Sequence, residues 1–215
     1  MNRKPIPHSP LSIAEGFAVR HLGLADYEPV WQQMKSFTLA RDPDTPDELW
    51  QVEHAPVYTL GVAARPEHLP RTDNGIPVVK TDRGGQITYH SPGQVIVYTL
   101  LDLRRRNIGV RALVRRLEQA VIELLGTYGI DAHGREDAPG VYVADAKIAA
   151  LGLRIRNGCC YHGLSLNVDM DLTPFAAINP CGYPGLEVTQ LRNLGVSDTT
   201  ASVAGKLLDR LAARI

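Results

Sequence analysis

The chain has 215 residues, 44% of them hydrophobic and 21% charged, with 23 basic residues balanced by 23 acidic ones. That length supports one sizeable core, and a neutral chain argues against a general nucleic-acid binder, which carries a broad positive field. No segment approaches the roughly 20 apolar residues that span a bilayer. Three cysteines make no disulfide framework and point to a reducing cytoplasm.

Residues 1–16, MNRKPIPHSPLSIAEG, hold three prolines and no continuous apolar run, so they read as a flexible arm and not as a secretory signal. Residues 17–215 read as the folded domain. FAVRHLG predicts a first strand. DYEPVWQQMKSFTLAR predicts a helix capped by Asp26, with Val30, Met34 and Phe37 on one face. LWQVEHAPVYTLG alternates as a strand does, but Pro56 marks a bulge or bend. Residues 63–75 read as a loop. IPVVKTD and QVIVYTLLDL read as strands, and the second is apolar on both faces, so a central, doubly covered position is expected. The stretch between them, RGGQITYHSPG, reads as a glycine loop and a turn.

Residues 110–128 predict the clearest helix, with Val110, Leu113, Val114, Leu117, Val121, Leu124 and Leu125 in one stripe. The strand-like runs GVYVA, KIAALGLRIR and CCYHGLSLNVD follow. After a loop carrying Pro180, Cys181, Gly182 and Pro184, TTASVAGKLLDRLAARI predicts a C-terminal helix. Strands outnumber helices and mostly follow one another, which predicts an α+β fold: a mixed sheet with helices packed on it.

A lone Gly84-Gly85 pair is ordinarily a hairpin turn. Here Arg83 precedes it and Gln86, Tyr89 and His90 follow, so the expected role is a backbone that a substrate approaches closely. Cys181 sits among Pro180, Gly182 and Pro184, a turn context in which a thiol is open to attack. Lys147 opens an almost wholly apolar strand, where a lysine loses its proton more easily or lowers a thiol's pKa. Cys159 and Cys160 are adjacent on a strand and point to opposite faces, so they chelate poorly together and read as packing. Of His90 and His162, His90 has the stronger case for substrate contact because it lies in the glycine loop.

Three long motifs, RGGQITYHSPGQVIVYTLLDLRR, DAKIAALGLRIRNGCCYHGLSLNVDMDL and INPCGYPGLEVTQL, resemble the octanoyltransferases of lipoate biosynthesis, and LWQVEHAPVYTLG matches that family's early strand. The resemblance implies a single domain of the biotin and lipoate protein ligase type. It implies transfer of an octanoyl group from acyl carrier protein to a lysine of lipoyl domains, those of the 2-oxoacid dehydrogenase complexes and the glycine cleavage H protein. By motif match, Cys181 would be the acyl-thioester nucleophile and Lys147 the residue that tunes it. Substrate contacts would fall on Arg83, Gly84, Gly85, Gln86, Ile87, Thr88, Tyr89 and His90, on Ala150, Leu151 and Gly152, and on Gly163, Leu164 and Ser165. No cofactor or metal is implied, because a thioester is already activated. An ATP-dependent lipoate or biotin ligase, or a non-catalytic carrier-binding protein, are the alternatives.

Overall fold

A computed structural model describes residues 12–14, 16–70, 74–179 and 185–215. In chain order its first half comprises strands β1 (Ser12–Ala14) and β2 (Phe17–Ala25), helix α1 (Tyr27–Ala40), and strands β3 (Glu48–His54), β4 (Val57–Leu60), β5 (Val78–Lys80), β6 (Ile87–His90) and β7 (Gln94–Asp102). Helix α2 (Val110–Gly126) leads to β8 (His133–Gly134), β9 (Gly140–Val143), β10 (Ala146–Arg156) and β11 (Cys159–Asn167), and α3 (Thr200–Arg214) closes the chain. Eight strands form one sheet in the order β1-β2-β3-β7-β11-β10-β9-β8, antiparallel except for the β2–β3 pair. A small second sheet has the order β5-β4-β6. This is the α+β mixed sheet expected.

The doubly apolar β7 explains the layering. Val95, Val97 and Leu101 join the cluster formed with α2 and α3, while Ile96, Tyr98 and Leu100 join the cluster under Val30 and Met34 of α1. Helices therefore cover both faces of the central strand, as its composition requires. Two details differ from expectation. Residues 12–14, assigned to the loose arm, pair with β2; residues 1–11 lie outside the described ones. Asp26 occupies the N-cap of α1, yet its side chain makes no capping hydrogen bond.

Pro56 marks the point where the chain leaves one sheet for the other: β3 belongs to the large sheet and β4 to the small one. The glycine loop also holds more structure than predicted. Ile87–His90 form β6, antiparallel to β4, an alternation hidden between two glycine turns. Buried Asp47 receives hydrogen bonds from Arg41, Arg105, Arg106 and the Asp102 N–H, and so fixes the connection between β7 and α2. No helix among the described residues is long and apolar enough to cross a membrane.

Candidate active site

Register places small residues side by side. Ala150 pairs with Ser165, which pairs with Ile96; Gly152 pairs with Gly163, which pairs with Tyr98. Paired residues share a face, so Ala150, Gly152, Gly163 and Ser165 make a strip with almost no side-chain bulk on the α1 side of the sheet. This strip is the floor of a cleft of about 400 Å³.

Residues 83–88, 150–152 and 163–165 line that cleft together with His90. Sequence stretches far apart are thereby brought to one place. Tyr89 is the exception among the residues expected to meet substrate. It packs instead against Tyr58 and Phe175.

Arg83 organises the loop. Its buried guanidinium donates to Thr59 Oγ1 and to the carbonyls of Thr59, Gly84 and Gln86, at 2.6–3.1 Å. The Gly84 N–H donates to the Leu153 carbonyl at 2.9 Å. A Cβ on Gly61 would stand 2.2 Å from the Gly85 carbonyl oxygen. The backbone that first comes close to the glycine pair is thus the protein's own, which seats the loop against β10 and Gly61.

The two histidines differ from the expected order. His90 has both ring nitrogens engaged, Nδ1 with Gln94 Oε1 at 2.7 Å and Nε2 with Thr59 Oγ1 at 3.4 Å. Burial, with His54 nearby, pushes its pKa down to about 3, so it is neutral. His162 is 1% exposed and engages only Nε2, with Asp82 Oδ1 at 3.0 Å. Its Nδ1 is buried and without a partner among the described residues. Burial lowers the His162 pKa against the pull of Asp82. Asp82 also accepts from Trp31 Nε1 and Tyr161 Oη. Burial opposes its ionisation, but the donors from His162, Tyr161 and Trp31 outweigh it and hold the carboxyl far below the usual range.

Lys147 is 3% exposed and on the same face of the sheet as the strip. Its Nζ donates to the Pro139 carbonyl at 3.0 Å and stands 5.1 Å from the centre of the Tyr142 ring. Pro139 lines the cleft, and Lys147 borders a void of about 10 Å³ with Thr88, Ala150 and Ser165. The lysine therefore marks one end of the trough. Gly140 makes the seat: a Cβ there would lie 2.3 Å from Lys147 Cε and 2.8 Å from Nζ. Glu118 in turn anchors the Gly140 N–H at 2.8 Å. Sequence reasoning missed Gly140, Pro139, Glu118 and Asp82. The hairpin register that pairs Lys147 with Tyr142 is the signal that could have found the first two.

Gly140→Ala is expected to displace the ammonium and to strain the β9–β10 pairing, since a Cβ there also lies 2.8 Å from the Ala149 carbonyl oxygen and Gly140 has φ 151°. A misplacement of about 1 Å costs on the order of 10²-fold in rate. A stopped-flow transfer assay beside a thermal melt checks this; a wild-type rate in the folded variant would refute it. Cys181 lies outside the described residues. It stands two positions after Asn179 and six before Glu187, whose carbonyl accepts from the Lys147 N–H at 2.8 Å. Cys160 lies in the core at 0% exposure, with burial pushing its thiol up to about 12, and burial raises Cys159 as well.

The model of the lipoyl protein ligase A/B catalytic domain matches residues 26–212. An octanoyltransferase of Laribacter hongkongensis is 63% identical over 197 residues, covering 92% of this chain and 95% of its own. The chain belongs to the octanoyltransferase family. It is accordingly an acyltransferase. Solved structures share the fold at low identity. Lipoate-protein ligase A bound with ATP superposes with TM-score 0.67 and 16% identity, over 89% of this chain and 84% of its own. Biotin protein ligase from Aquifex aeolicus, in complex with biotin and ATP, gives TM-score 0.60 and 14% identity, over 91% and 69%.

Proposed function

We propose that this enzyme moves an octanoyl group from octanoyl-acyl carrier protein to a lysine of a lipoyl domain through a thioester on Cys181. The observation that carries the reading is a buried lysine at the end of a trough of small residues, in a chain 63% identical to an octanoyltransferase. Octanoyl transfer in protein lipoylation is the function its relatives support.

In the first half-reaction the Cys181 thiolate, paired with the Lys147 ammonium, attacks the donor's carbonyl carbon. The tetrahedral oxyanion collapses, and the carrier thiolate leaves with a proton from Lys147. In the second, the acceptor lysine's amine attacks the Cys181 thioester. Its proton passes to the now neutral Lys147, and the Cys181 thiolate is expelled, restoring the starting pair. The acyl chain lies on the strip of Ala150, Gly152, Gly163 and Ser165. Each buried methylene contributes about 0.8 kcal/mol.

Transfer without ATP from octanoyl carrier protein to a lipoyl domain is the test. Robust ATP–pyrophosphate exchange with free octanoate, and no transfer from the carrier, would instead make the protein a ligase.

The carrier docks beside the cleft. A groove of about 750 Å³ along α2 carries Arg111 and Arg115, and shares Val110, Val114 and Pro139 with the cleft. Arg105 and Arg106, which also precede this helix, are engaged with Asp47 and form no part of the patch. Reversing the charge of Arg111 and Arg115 is expected to raise the KM for an acidic carrier by about tenfold and to flatten its salt dependence. Unchanged kinetics at low salt would remove this groove from the docking site.

A further inference from the structure

Glu118 lies on α2 beside the docking arginines and lines the same groove as Arg111 and Arg115. A carboxylate facing outward there would repel an acidic carrier. It does not face outward. Glu118 is 9% exposed, and its carboxylate turns in toward β8 and β9. Oε1 accepts from the Gly140 N–H at 2.8 Å, and a Cβ on Gly134 would stand 3.2 Å from Oε2. Burial raises its pKa against the pull of the Gly140 N–H, Lys147 and Arg115. A buried carboxylate is costly, and an apolar residue would fill the same place without that cost.

The peptide between Pro139 and Gly140 shows what the carboxylate holds. Its N–H donates to Glu118, and its carbonyl accepts from Lys147 Nζ at 3.0 Å. A peptide unit is planar, so these two groups turn together. Gly140, at φ 151°, occupies backbone space that only glycine enters readily, and it offers little resistance to that turn. On the other side, Tyr142 Oη donates to the Ala138 carbonyl at 2.7 Å, and the same ring stands 5.1 Å from Nζ. Tyr142 thus pins one end of the segment, and Glu118 fixes the rotation of the peptide that meets the ammonium. Accepting the N–H also polarises the carbonyl, which makes it a stronger acceptor for Lys147.

We propose that Glu118 is a positioning residue for Lys147, acting through the Pro139–Gly140 peptide: the carboxylate holds the N–H, and the carbonyl of the same plane holds the ammonium at the end of the trough. What Glu118 contributes is the reach of an acceptor oxygen and not its charge. A side chain of the carrier groove thereby sets the lysine of the cleft without touching substrate. This rests on the reading that Lys147 acts in both half-reactions.

Two substitutions separate reach from charge. Glu118→Gln keeps an acceptor oxygen at the same distance and loses the charge; Glu118→Asp keeps the charge and draws the acceptor back by one bond, about 1.5 Å. Single-turnover rates of both half-reactions and the KM for octanoyl carrier protein are measured on the full-length enzyme. Glu118→Gln is expected to lower the rates by no more than about threefold, and Glu118→Asp by about 10- to 10²-fold, with the carrier KM within about twofold of wild type in both. Glu118→Met, which offers no strong acceptor, should resemble the aspartate variant, so either one that folds gives the answer. The reverse order of rates would overturn the proposal. A shift in carrier KM shared by the glutamine and methionine variants, with rates unchanged, would overturn it too and make Glu118 a groove charge. So would rapid solvent exchange of the Gly140 amide in the wild type, which the hydrogen bond to Glu118 should protect. Lys147→Met is the control: transfer at the wild-type rate there would refute the role of the lysine on which the proposal rests, whatever the Glu118 variants do.

Discussion

Cys181→Ser is expected to fold normally and to retain no thioester-linked octanoyl group after mixing with octanoyl carrier protein. Transfer to a lipoyl domain should fall by at least about 10³-fold, the scale on which nucleophilic catalysis is lost with its nucleophile. The other two cysteines offer no substitute. Cys160 is sealed in the cluster with α2 and α3, and burial pushes its thiol up to about 12, which keeps it protonated near neutral pH. Cys159 is raised too, by burial first and then by Asp102. Intact mass before and after hydroxylamine, which cleaves thioesters, makes the measurement. An undiminished, hydroxylamine-labile adduct on the serine variant would place the nucleophile elsewhere.

Lys147→Arg separates the two roles of the lysine. Arginine keeps the charge beside the Pro139 carbonyl and the Tyr142 ring, so acylation of Cys181 is expected to survive, slowed by the larger head group above Gly140. Arginine does not give up its proton in proteins. The carrier can still leave as a thiolate, but attack by the acceptor amine loses its proton acceptor, and transfer to the lipoyl domain should slow by about 10²- to 10⁴-fold. Lys147→Met removes the charge as well and should impair acylation directly. Single-turnover rates of each half-reaction discriminate between these. Near-wild-type transfer by the arginine variant would leave Lys147 an electrostatic or structural residue only.

The elements with strong periodicity were legible in the sequence. The doubly apolar run of β7 and the stripe of α2 follow from composition alone, and the glycine-rich motifs marked residues that do converge on one cleft. What was not legible depends on pairing across the chain. The alternation of β3 runs on through Pro56 into β4, and nothing local says that the two strands belong to different sheets. β6 is hidden because four alternating residues between glycine turns read as a loop. The surroundings of His90 and His162 were hidden for a related reason. His90 looks free in a loop, but Gln94 and Thr59 occupy its ring. His162 looks like one strand residue among others until a positive φ and Asp82, 80 positions away, turn it to the cleft side. Tyr89 sits away from the cleft lining because it packs in the cluster with Tyr58 and Phe175, a neighbourhood that a local motif does not show.

The most direct test of the account is a chase of the isolated acyl-enzyme. The protein is octanoylated by carrier protein, freed of carrier, and mapped by peptide mass spectrometry; the octanoyl group is expected on Cys181. Lipoyl domain is then added without carrier or ATP. The predicted result is that octanoyl mass leaves Cys181 and appears on the lipoyl-domain lysine at the same rate, fast enough to account for steady-state turnover. An adduct that persists, or that transfers only when carrier or ATP is returned, would contradict the two-step thioester mechanism.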